Sequence, residues 1–241
     1  MCIRDRLGLG QGAYGSGELR HARLRLHELA DRGQPFSACD ALLARAARLS
    51  HRSFQQLPAS EFGIRWLENY VLSDEPLDEW WEQSLVRDLY PEGRELGRHE
   101  HPFPARYARR FSTMLIEPPI YLSAMLREVR LAGGRVVVRA LDRREQVREL
   151  PEPVVVNCTG LGAKALFGDE ELEPVKGQLT FLLPQPEVDY IVISDGLYMF
   201  PRQDGILLGG TFEHNVWSLD VDEEARRRIV AGHRALFEGM R

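Results

Sequence analysis

The sequence predicts an α/β fold, and two groups of segments carry that prediction. Within residues 111–157, a strand, a helix, a second strand and a short valine-rich strand follow one another, and the last runs into a glycine-rich turn. After residue 174 the pattern changes to short strands separated by turn residues, which is typical of antiparallel pairing. We therefore expect an α/β sheet followed by an antiparallel region.

The N-terminal part opens with a segment that resembles no ordered start. Residues 1–38 begin with MCIRDR and a glycine-rich stretch, so we treat them as atypical, with an assembly artefact as one interpretation. Inside them, residues 18–32 have a helical apolar spacing. Residues 40–57 form a clearer amphipathic helix, and the aromatic and branched residues of 62–72 predict one or two strands. Residues 73–107 predict loops with a short helix.

The C-terminal part contains the segments on which the fold class depends. Two prolines at 118 and 119 fit the start of a helix over 121–131, which ends at the glycines of 133 and 134. A last helix is predicted over 222–240. The remaining apolar segments predict strands, at residues 111–116, 135–141 (RVVVRAL), 153–157 (PVVVN), 177–183, 190–194, 197–200 and 205–209.

Composition excludes several classes of protein. The chain has 241 residues, 44% of them hydrophobic and 28% charged, which is ordinary globular composition. Its net charge of -5 argues against nucleic acid as the main partner, and no apolar run is long enough for a membrane span. The three cysteines Cys2, Cys39 and Cys158 show no CxxC spacing, so we expect no disulfide framework and a cytoplasmic location.

The formal GxGxxG at residues 10–15 (GQGAYG) is the first candidate for a ligand site. Such a loop lets backbone N–H groups approach a pyrophosphate at a helix N-terminus, but it needs an apolar strand before it. The residues before it include Arg4, Asp5 and Arg6. A chance glycine-rich segment is therefore the favoured interpretation, and a nicotinamide dehydrogenase is the alternative that depends on this motif alone.

The end of the valine-rich strand is the second candidate. VVVNCTG places Asn157, Cys158, Thr159 and Gly160 after a buried strand and before small residues that begin a helix. Ligands of α/β sheets lie at the carboxyl ends of strands, and small residues there allow close approach to the backbone. A tight strand-to-helix turn without a ligand is the equal alternative.

Two further patterns are weaker. His99 and His101 could supply two metal ligands, but no third ligand lies nearby in the sequence, so we expect a solvated loop and no metal. Trp80 and Trp81 could line a pocket, although hydrophobic packing explains them as well.

In order and spacing, these segments resemble the FAD-dependent D-amino-acid oxidase family. The resemblance depends on the segment VVVNCTGLGAKAL, on four segments that follow it in the sequence and on two that precede it. Together they cover the residues from about 40 to the end. The other segments that match are PVKGQ (174–178), LYMFP (197–201), LGGTF (208–212), NVWS (215–218), RRFSTMLIEPPIYLSAML (109–126) and ARAARLSHRSFQQL (44–57).

The resemblance implies a cofactor, FAD, and a set of site residues. Thr159 matches a threonine whose strand end touches the FAD, with Cys158 and Gly160 beside it, and Leu141 matches a position whose backbone meets the adenosine part. Tyr198 matches the catalytic-site tyrosine that hydrogen-bonds the substrate carboxylate, although its apolar neighbours alone would predict a core residue.

The resemblance also implies a domain division. Residues 39–60 and 118–177 would belong to an FAD-binding domain with the parallel central sheet, and residues 61–117 and 178–241 to an antiparallel-sheet substrate domain. The family's N-terminal dinucleotide-binding unit is not convincingly present, and the chain ends before the family's G-F-R-P-x-R segment. We therefore expect it to be the middle of a longer protein.

The function that this implies is the oxidative deamination of D-amino acids by oxygen, giving 2-oxo acids, ammonia and hydrogen peroxide. The expected partners are a D-amino acid and oxygen, without nucleic acid or membrane, and a homodimer is kept open as the assembly. Two alternatives stay open. One is a glycine- or sarcosine-type flavin amine oxidase, and the other is an inactive fragment that binds no FAD.

Overall fold

The computed structural model describes residues 38–77, 84–90 and 92–241, and the side chains from residue 41 onward. The atypical segment of residues 1–37, with the GxGxxG, and the Trp80–Trp81 pair lie outside the described residues. The described part contains a mixed sheet of seven strands together with helices, so the predicted α/β class is confirmed.

The N-terminal half of the described chain alternates helices and strands. Its helices are α1 (Ala38–Gln56), α2 (Ala59–Phe62), α3 (Pro118–Leu131) and α4 (Arg144–Arg148), and its strands are β1 (Ile64–Ser73), β2 (Arg94–Gly97) and β3 (Tyr107–Ile116). A 3-10 turn covers Arg87–Leu89. Gly63 has a φ of 65° and ends α2, so that the chain turns sharply into β1.

The C-terminal half is built mainly from short strands. These are β4 (Val175–Lys176), β5 (Leu179–Leu182), β6 (Tyr190–Ser194), β7 (Leu197–Arg202), β8 (Gly205–Gly209) and β9 (Glu213–His214). A 3-10 turn over Gly160–Gly162 leads into α5 (Ala163–Phe167), and α6 (Glu223–Glu238) is the last helix. Asp222 caps α6 by accepting hydrogen bonds from the backbone N–H groups of Glu224 and Ala225.

The seven strands lie in the order β2-β3-β1-β6-β7-β8-β5, and a separate pair joins β4 to β9. Strands β1 and β6 pair in parallel, whereas every other pairing in the large sheet is antiparallel. Helix α6 packs on one face of β5, β7 and β8, and its Ile229 joins a core with Leu72, Val192 and Met199. Burial of this apolar face holds the C-terminal half together.

The two valine-rich segments are where the secondary structure departs from expectation. Residues 135–141 and 153–157 were predicted as strands, and neither is one in the structure. Val138 is 99% exposed and Val154 is 78% exposed, which a buried strand would not allow. Branched residues favour a strand only when a partner strand and a packing face are present, and neither segment pairs with another strand in the described part of the chain. The parallel pairing that is observed joins β1 to β6, two segments that we had placed in the antiparallel-sheet domain.

Candidate active site

One row of side chains crosses the sheet and carries the predicted substrate residue. Arg109 pairs with Val71, Val71 with Ile193, Ile193 with Tyr198, and Tyr198 with Gly209. Directly paired residues of neighbouring strands project to the same face of a sheet. We call this face, opposite to α6, the Tyr198 face.

Tyr198 is buried, with 9% of its surface exposed. Its ring lies over Gly209, where an added β-carbon would stand 2.0 Å from the ring carbon Cζ and 2.4 Å from the hydroxyl oxygen. The ring also contacts Phe200 at 5.6 Å between centroids. The absence of a side chain at position 209 therefore creates the space in which the tyrosine ring lies.

An apolar wall continues the Tyr198 face. Phe200 packs with a cluster in which Ile191 is 2% exposed, and its other members are Leu67, Leu115 and Ile193. Such a wall suits an uncharged organic group and excludes water from whatever lies against it.

Two buried polar residues interrupt this wall. Asn69 is 3% exposed, and its Oδ1 accepts no hydrogen bond from any described residue. Arg109 is 4% exposed and lies 3.8 Å from the carboxylate of Glu95, which also accepts a hydrogen bond from the backbone N–H of Leu77 at 2.7 Å. Burying polar groups in this way costs folding free energy, so stability alone does not explain why these two residues occur on this face.

Tyr90 lies at the border of the same face. Its ring contacts Phe111 at 4.7 Å between centroids, and its hydroxyl hydrogen-bonds the side chain of Thr113. Burial raises the pKa of the Tyr90 hydroxyl, and the hydrogen bond to Thr113 opposes that change. Tyr90 therefore stays a neutral hydrogen-bonding group at ordinary pH.

An open cavity of about 430 Å³ adjoins Tyr90. Arg48 crosses it and binds both carboxylate oxygens of Asp88 at 2.7 Å, which lowers the pKa of Asp88. The cavity is lined by Arg48, Ser84, Leu85, Arg87, Asp88, Tyr90 and Gly93. Arg48 and Asp88 neutralise each other, so Arg87 carries the remaining formal charge of this lining.

His233 of α6 supports Tyr198 from the opposite side of the sheet. It is 2% exposed, its Nδ1 lies 2.8 Å from the carbonyl oxygen of Ile229, and its Nε2 lies 3.1 Å from the carbonyl oxygen of Tyr198. The backbone of the predicted substrate residue thus has a direct contact to the last helix.

A buried ion pair secures the far end of β7. Glu117 is 1% exposed and accepts hydrogen bonds from Arg65, at 3.0 Å from Nε and 2.7 Å from Nη2, and from the backbone N–H of Gln203 at 3.1 Å. Arg65 also donates to the carbonyl oxygen of Pro201. These bonds tie the turn between β7 and β8 to the end of β3.

The predicted cofactor residues Cys158, Thr159 and Gly160 form an exposed turn. The side-chain oxygen of Asn157 accepts from the backbone N–H of Thr159 at 3.1 Å and from its hydroxyl at 2.7 Å. Gly160 has a φ of 54°, which favours glycine, and a β-carbon added there would meet no atom within 4 Å. The space over this backbone is open, which leaves room for a flat cofactor such as FAD.

Leu141 is partly exposed and follows the exposed valine segment at 135–141. No hydrogen bond, ion pair or ring contact joins Tyr198 to Leu141 or to the turn at Thr159 in the described residues. The structure therefore presents the predicted substrate residue and the predicted cofactor residues as two separate features, and their assignment stays a prediction.

The candidate metal ligands do not form a site. In the part of the chain that the structure describes, no group of three or more His, Cys, Asp or Glu side chains could hold a metal ion. His101 is buried and stacks on Phe103 at 6.2 Å, where burial lowers the pKa of its imidazole, so the solvated loop that we expected around it is wrong. No described helix is long and apolar enough to cross a membrane.

Four residues around the Tyr198 face escaped the sequence analysis. Gly209 is part of a Gly-Gly pair that could have suggested a close approach of two chain segments. Nothing in the sequence around Asn69, Glu117 or His233 distinguishes them from surface residues, because their roles depend on contacts between distant segments.

A protein-family model described as "FAD dependent oxidoreductase" (DAO) matches residues 4–241. A D-amino-acid oxidase of Streptomyces coelicolor is 33% identical over 186 residues, which are 73% of this chain and 55% of the relative. A D-amino acid oxidase of Dugesia ryukyuensis is 28% identical over 184 residues, covering 75% of this chain and 54% of the relative. The human D-aspartate oxidase is 34% identical over 128 residues, covering 52% and 37%. The chain thus spans about half the length of the curated relatives it matches.

Solved structures share the fold. Glycine oxidase from Geobacillus kaustophilus has a TM-score of 0.58 at 16% identity, covering 82% of this chain and 61% of its own. L-proline dehydrogenase from P. horikoshii has a TM-score of 0.58 at 15% identity, covering 78% and 61%. At such identities the likeness concerns the fold alone.

Proposed function

The chain belongs to the family of FAD-dependent oxidoreductases, and from this premise we propose that the protein oxidises D-amino acids. The reaction converts a D-amino acid, oxygen and water to a 2-oxo acid, ammonia and hydrogen peroxide. The observation that carries the proposal is the 33% identity to a D-amino-acid oxidase over 73% of the chain. Glycine and sarcosine are the competing substrates, because the fold is shared with glycine oxidase.

Tyr198 would bind the substrate. Its hydroxyl donates a hydrogen bond to the α-carboxylate, and a hydrogen bond to a charged acceptor is among the stronger ones. The ring can lie in this position because Gly209 leaves room for it. Phe200 beside it offers an apolar contact for the substrate side chain and reduces the access of water.

The turn after the valine segment would hold the cofactor. Gly160, in the exposed turn that it forms with Cys158 and Thr159, lies beside open space, and Leu141 would lie against the adenosine part. FAD, when bound, supplies the two-electron oxidant for the Cα–N bond. The protein's own contribution is to bind the carboxylate, orient Cα and exclude water.

The reaction itself tests the proposal. The purified protein is loaded with FAD and offered D-alanine, D-methionine, D-aspartate, their L-enantiomers, glycine and sarcosine, while peroxide and 2-oxo acid are measured. We expect peroxide with D-amino acids, and a Tyr198→Phe variant with a KM raised about tenfold or more, which corresponds to one hydrogen bond to a charged group. Turnover of glycine or sarcosine alone would assign the other amine-oxidase class, and failure to retain FAD would show that this chain is inactive by itself.

A further inference from the structure

Helix α6 approaches strand β7 unusually closely beside Tyr198. A β-carbon added to Gly232 would stand 2.7 Å from Cδ1 of Leu197, and one added to Gly210 would stand 2.8 Å from Cδ2 of the same side chain. The next residue on each element forms the next contact, between His233 and Tyr198. Gly232 therefore lets the helix lie against Leu197, near enough for the imidazole to reach the strand's backbone, and Gly210, which follows β8, leaves room for the same leucine side chain.

The imidazole of His233 faces two acceptors and no donor. Its Nδ1 lies 2.8 Å from the carbonyl oxygen of Ile229, and its Nε2 lies 3.1 Å from that of Tyr198. A neutral imidazole has a single N–H, so it can donate to only one of these oxygens, whereas the doubly protonated ring donates to both. A proton on Nδ1 alone would serve the carbonyl of Ile229 within the same helix, and only a proton on Nε2 forms a hydrogen bond that links α6 to β7.

We propose that His233 is a positioning residue for Tyr198. Its Nε2 carries a proton and donates it in a hydrogen bond to the Tyr198 carbonyl, which fixes the backbone from which the tyrosine ring projects toward the opposite face. Because the ring is 2% exposed, water cannot replace it as the donor. The inference rests on the proposed function, since the part of Tyr198 in substrate binding is proposed there.

Three substitutions of His233 distinguish the hydrogen bond made by Nε2 from the one made by Nδ1. In His233→Gln the side-chain amide reaches the position of Nε2 and can donate to Tyr198, whereas in His233→Asn it reaches the position of Nδ1 and can serve only Ile229. His233→Phe fills the space and donates to neither. Arg234→Gln, one residue later on α6 and exposed, is the matched control.

The kinetic readout is the division between KM and kcat in the FAD-loaded protein. We expect KM for the D-amino acid to rise about fivefold in the Phe and Asn variants, the effect of losing about one hydrogen bond, with kcat changed less than twofold. The Gln variant should stay within twofold of the wild type in KM. If His233 had a purely structural role, KM would change in each variant according to its loss of stability, and the Gln and Asn variants would not differ in this way.

A spectroscopic measurement tests the inference without requiring oxidase activity. In protein labelled with ¹⁵N and ¹³C, the Nε2 resonance of His233 should have the shift of a protonated ring nitrogen, and the carbonyl ¹³C resonance of Tyr198 should move in the Phe and Asn variants but little in the Gln variant. An unprotonated Nε2, or a Phe variant with unchanged KM and carbonyl shift, would overturn the inference. If the protein shows no oxidase activity, the proposed function fails, and the two NMR measurements still decide whether His233 positions Tyr198.

Discussion

The ring of Tyr198 occupies the space that a side chain on Gly209 would need. The two residues are direct partners across β7 and β8, and a β-carbon on Gly209 would lie 2.0 Å from Cζ of the tyrosine. Aromatic rings often cover a glycine of the neighbouring strand, because the glycine offers a flat surface for the ring. Here the pair determines where the tyrosine hydroxyl lies.

The first prediction concerns Gly209→Ala. A β-carbon on residue 209 would lie 2.0 Å from Cζ of Tyr198, which is too close for two carbon atoms, so the tyrosine ring must move. We therefore expect KM for the substrate to rise about as much as in Tyr198→Phe. Overpacking of this kind also costs about 1–3 kcal/mol of unfolding free energy. Gly97→Ala is the control, since its β-carbon would lie 3.6 Å from the nearest atom, Oε2 of Glu100. Wild-type kinetics in the Gly209 variant would show that Tyr198 does not bind substrate in this position.

The second prediction concerns Asn69. Its amide is buried, and its Oδ1 lacks a hydrogen-bond donor among the described residues. Replacing it by leucine, which has a similar size, removes the unsatisfied group, so we expect the unfolding free energy to rise by about 1 kcal/mol. Asn69→Asp, which buries a charge at the same site, should lower it. Urea unfolding of the three proteins measures both effects, and a destabilised leucine variant would mean that the amide has a partner in solution.

The sequence predicts most local elements of this fold, because their signals lie within the elements themselves. The helix expected over 40–57 is observed at Ala38–Gln56, and the strand expected over 190–194 is Tyr190–Ser194. The strand expected over 111–116 extends from Tyr107, since the charged side chains of its first half pair with neighbouring strands. Arg110, for example, lies 3.2 Å from Glu68 of β1.

What the sequence could not predict depends on contacts between distant segments. The valine segments have the composition of buried strands, but a strand also requires a partner, and none pairs with them in the described residues. Tyr198 was singled out by family resemblance, whereas its supports, Gly209 and His233, follow it by 11 and 35 positions and become neighbours only in the folded sheet.

The third prediction concerns the buried carboxylate of Glu117. Removing it in Glu117→Ala takes the acceptor from Arg65 and from the backbone N–H of Gln203. Since the Arg65 side chain is 31% exposed, water compensates part of the loss, and we expect a destabilisation of about 2–3 kcal/mol. Glu68→Ala, which breaks the exposed pair with Arg110, should cost about 0–1 kcal/mol. Equal midpoints of urea unfolding for the two variants would contradict this ranking.

The fourth prediction concerns how the stability contributed by the Asp222 cap of α6 depends on pH. The pKa of Asp222 is lowered, first by the hydrogen bond from the backbone N–H of Ala225 and then by that from Glu224, and burial opposes these effects. A carboxyl whose pKa is lower in the folded protein stabilises it above its unfolded pKa of about 3.9, and this stability is lost as the pH falls through the folded pKa. Asp222→Asn keeps a capping side chain that does not titrate. Thermal unfolding between pH 5 and pH 2 should therefore show a shallower acid loss in the variant, and identical slopes would exclude this contribution.

The fifth prediction concerns the two exposed valine segments. Val138 is 99% exposed and Val156 is 77% exposed, and adjacent exposed valines form apolar surfaces of the kind that promote association. We expect the protein to self-associate at micromolar concentration, and Val138→Lys combined with Val156→Lys to reduce the associated fraction in light scattering and the binding of a hydrophobic dye. Leu219→Lys changes an equally exposed apolar side chain outside both segments and should have little effect. If the double variant associates as the wild type does, these segments are covered in solution and another surface mediates the contact.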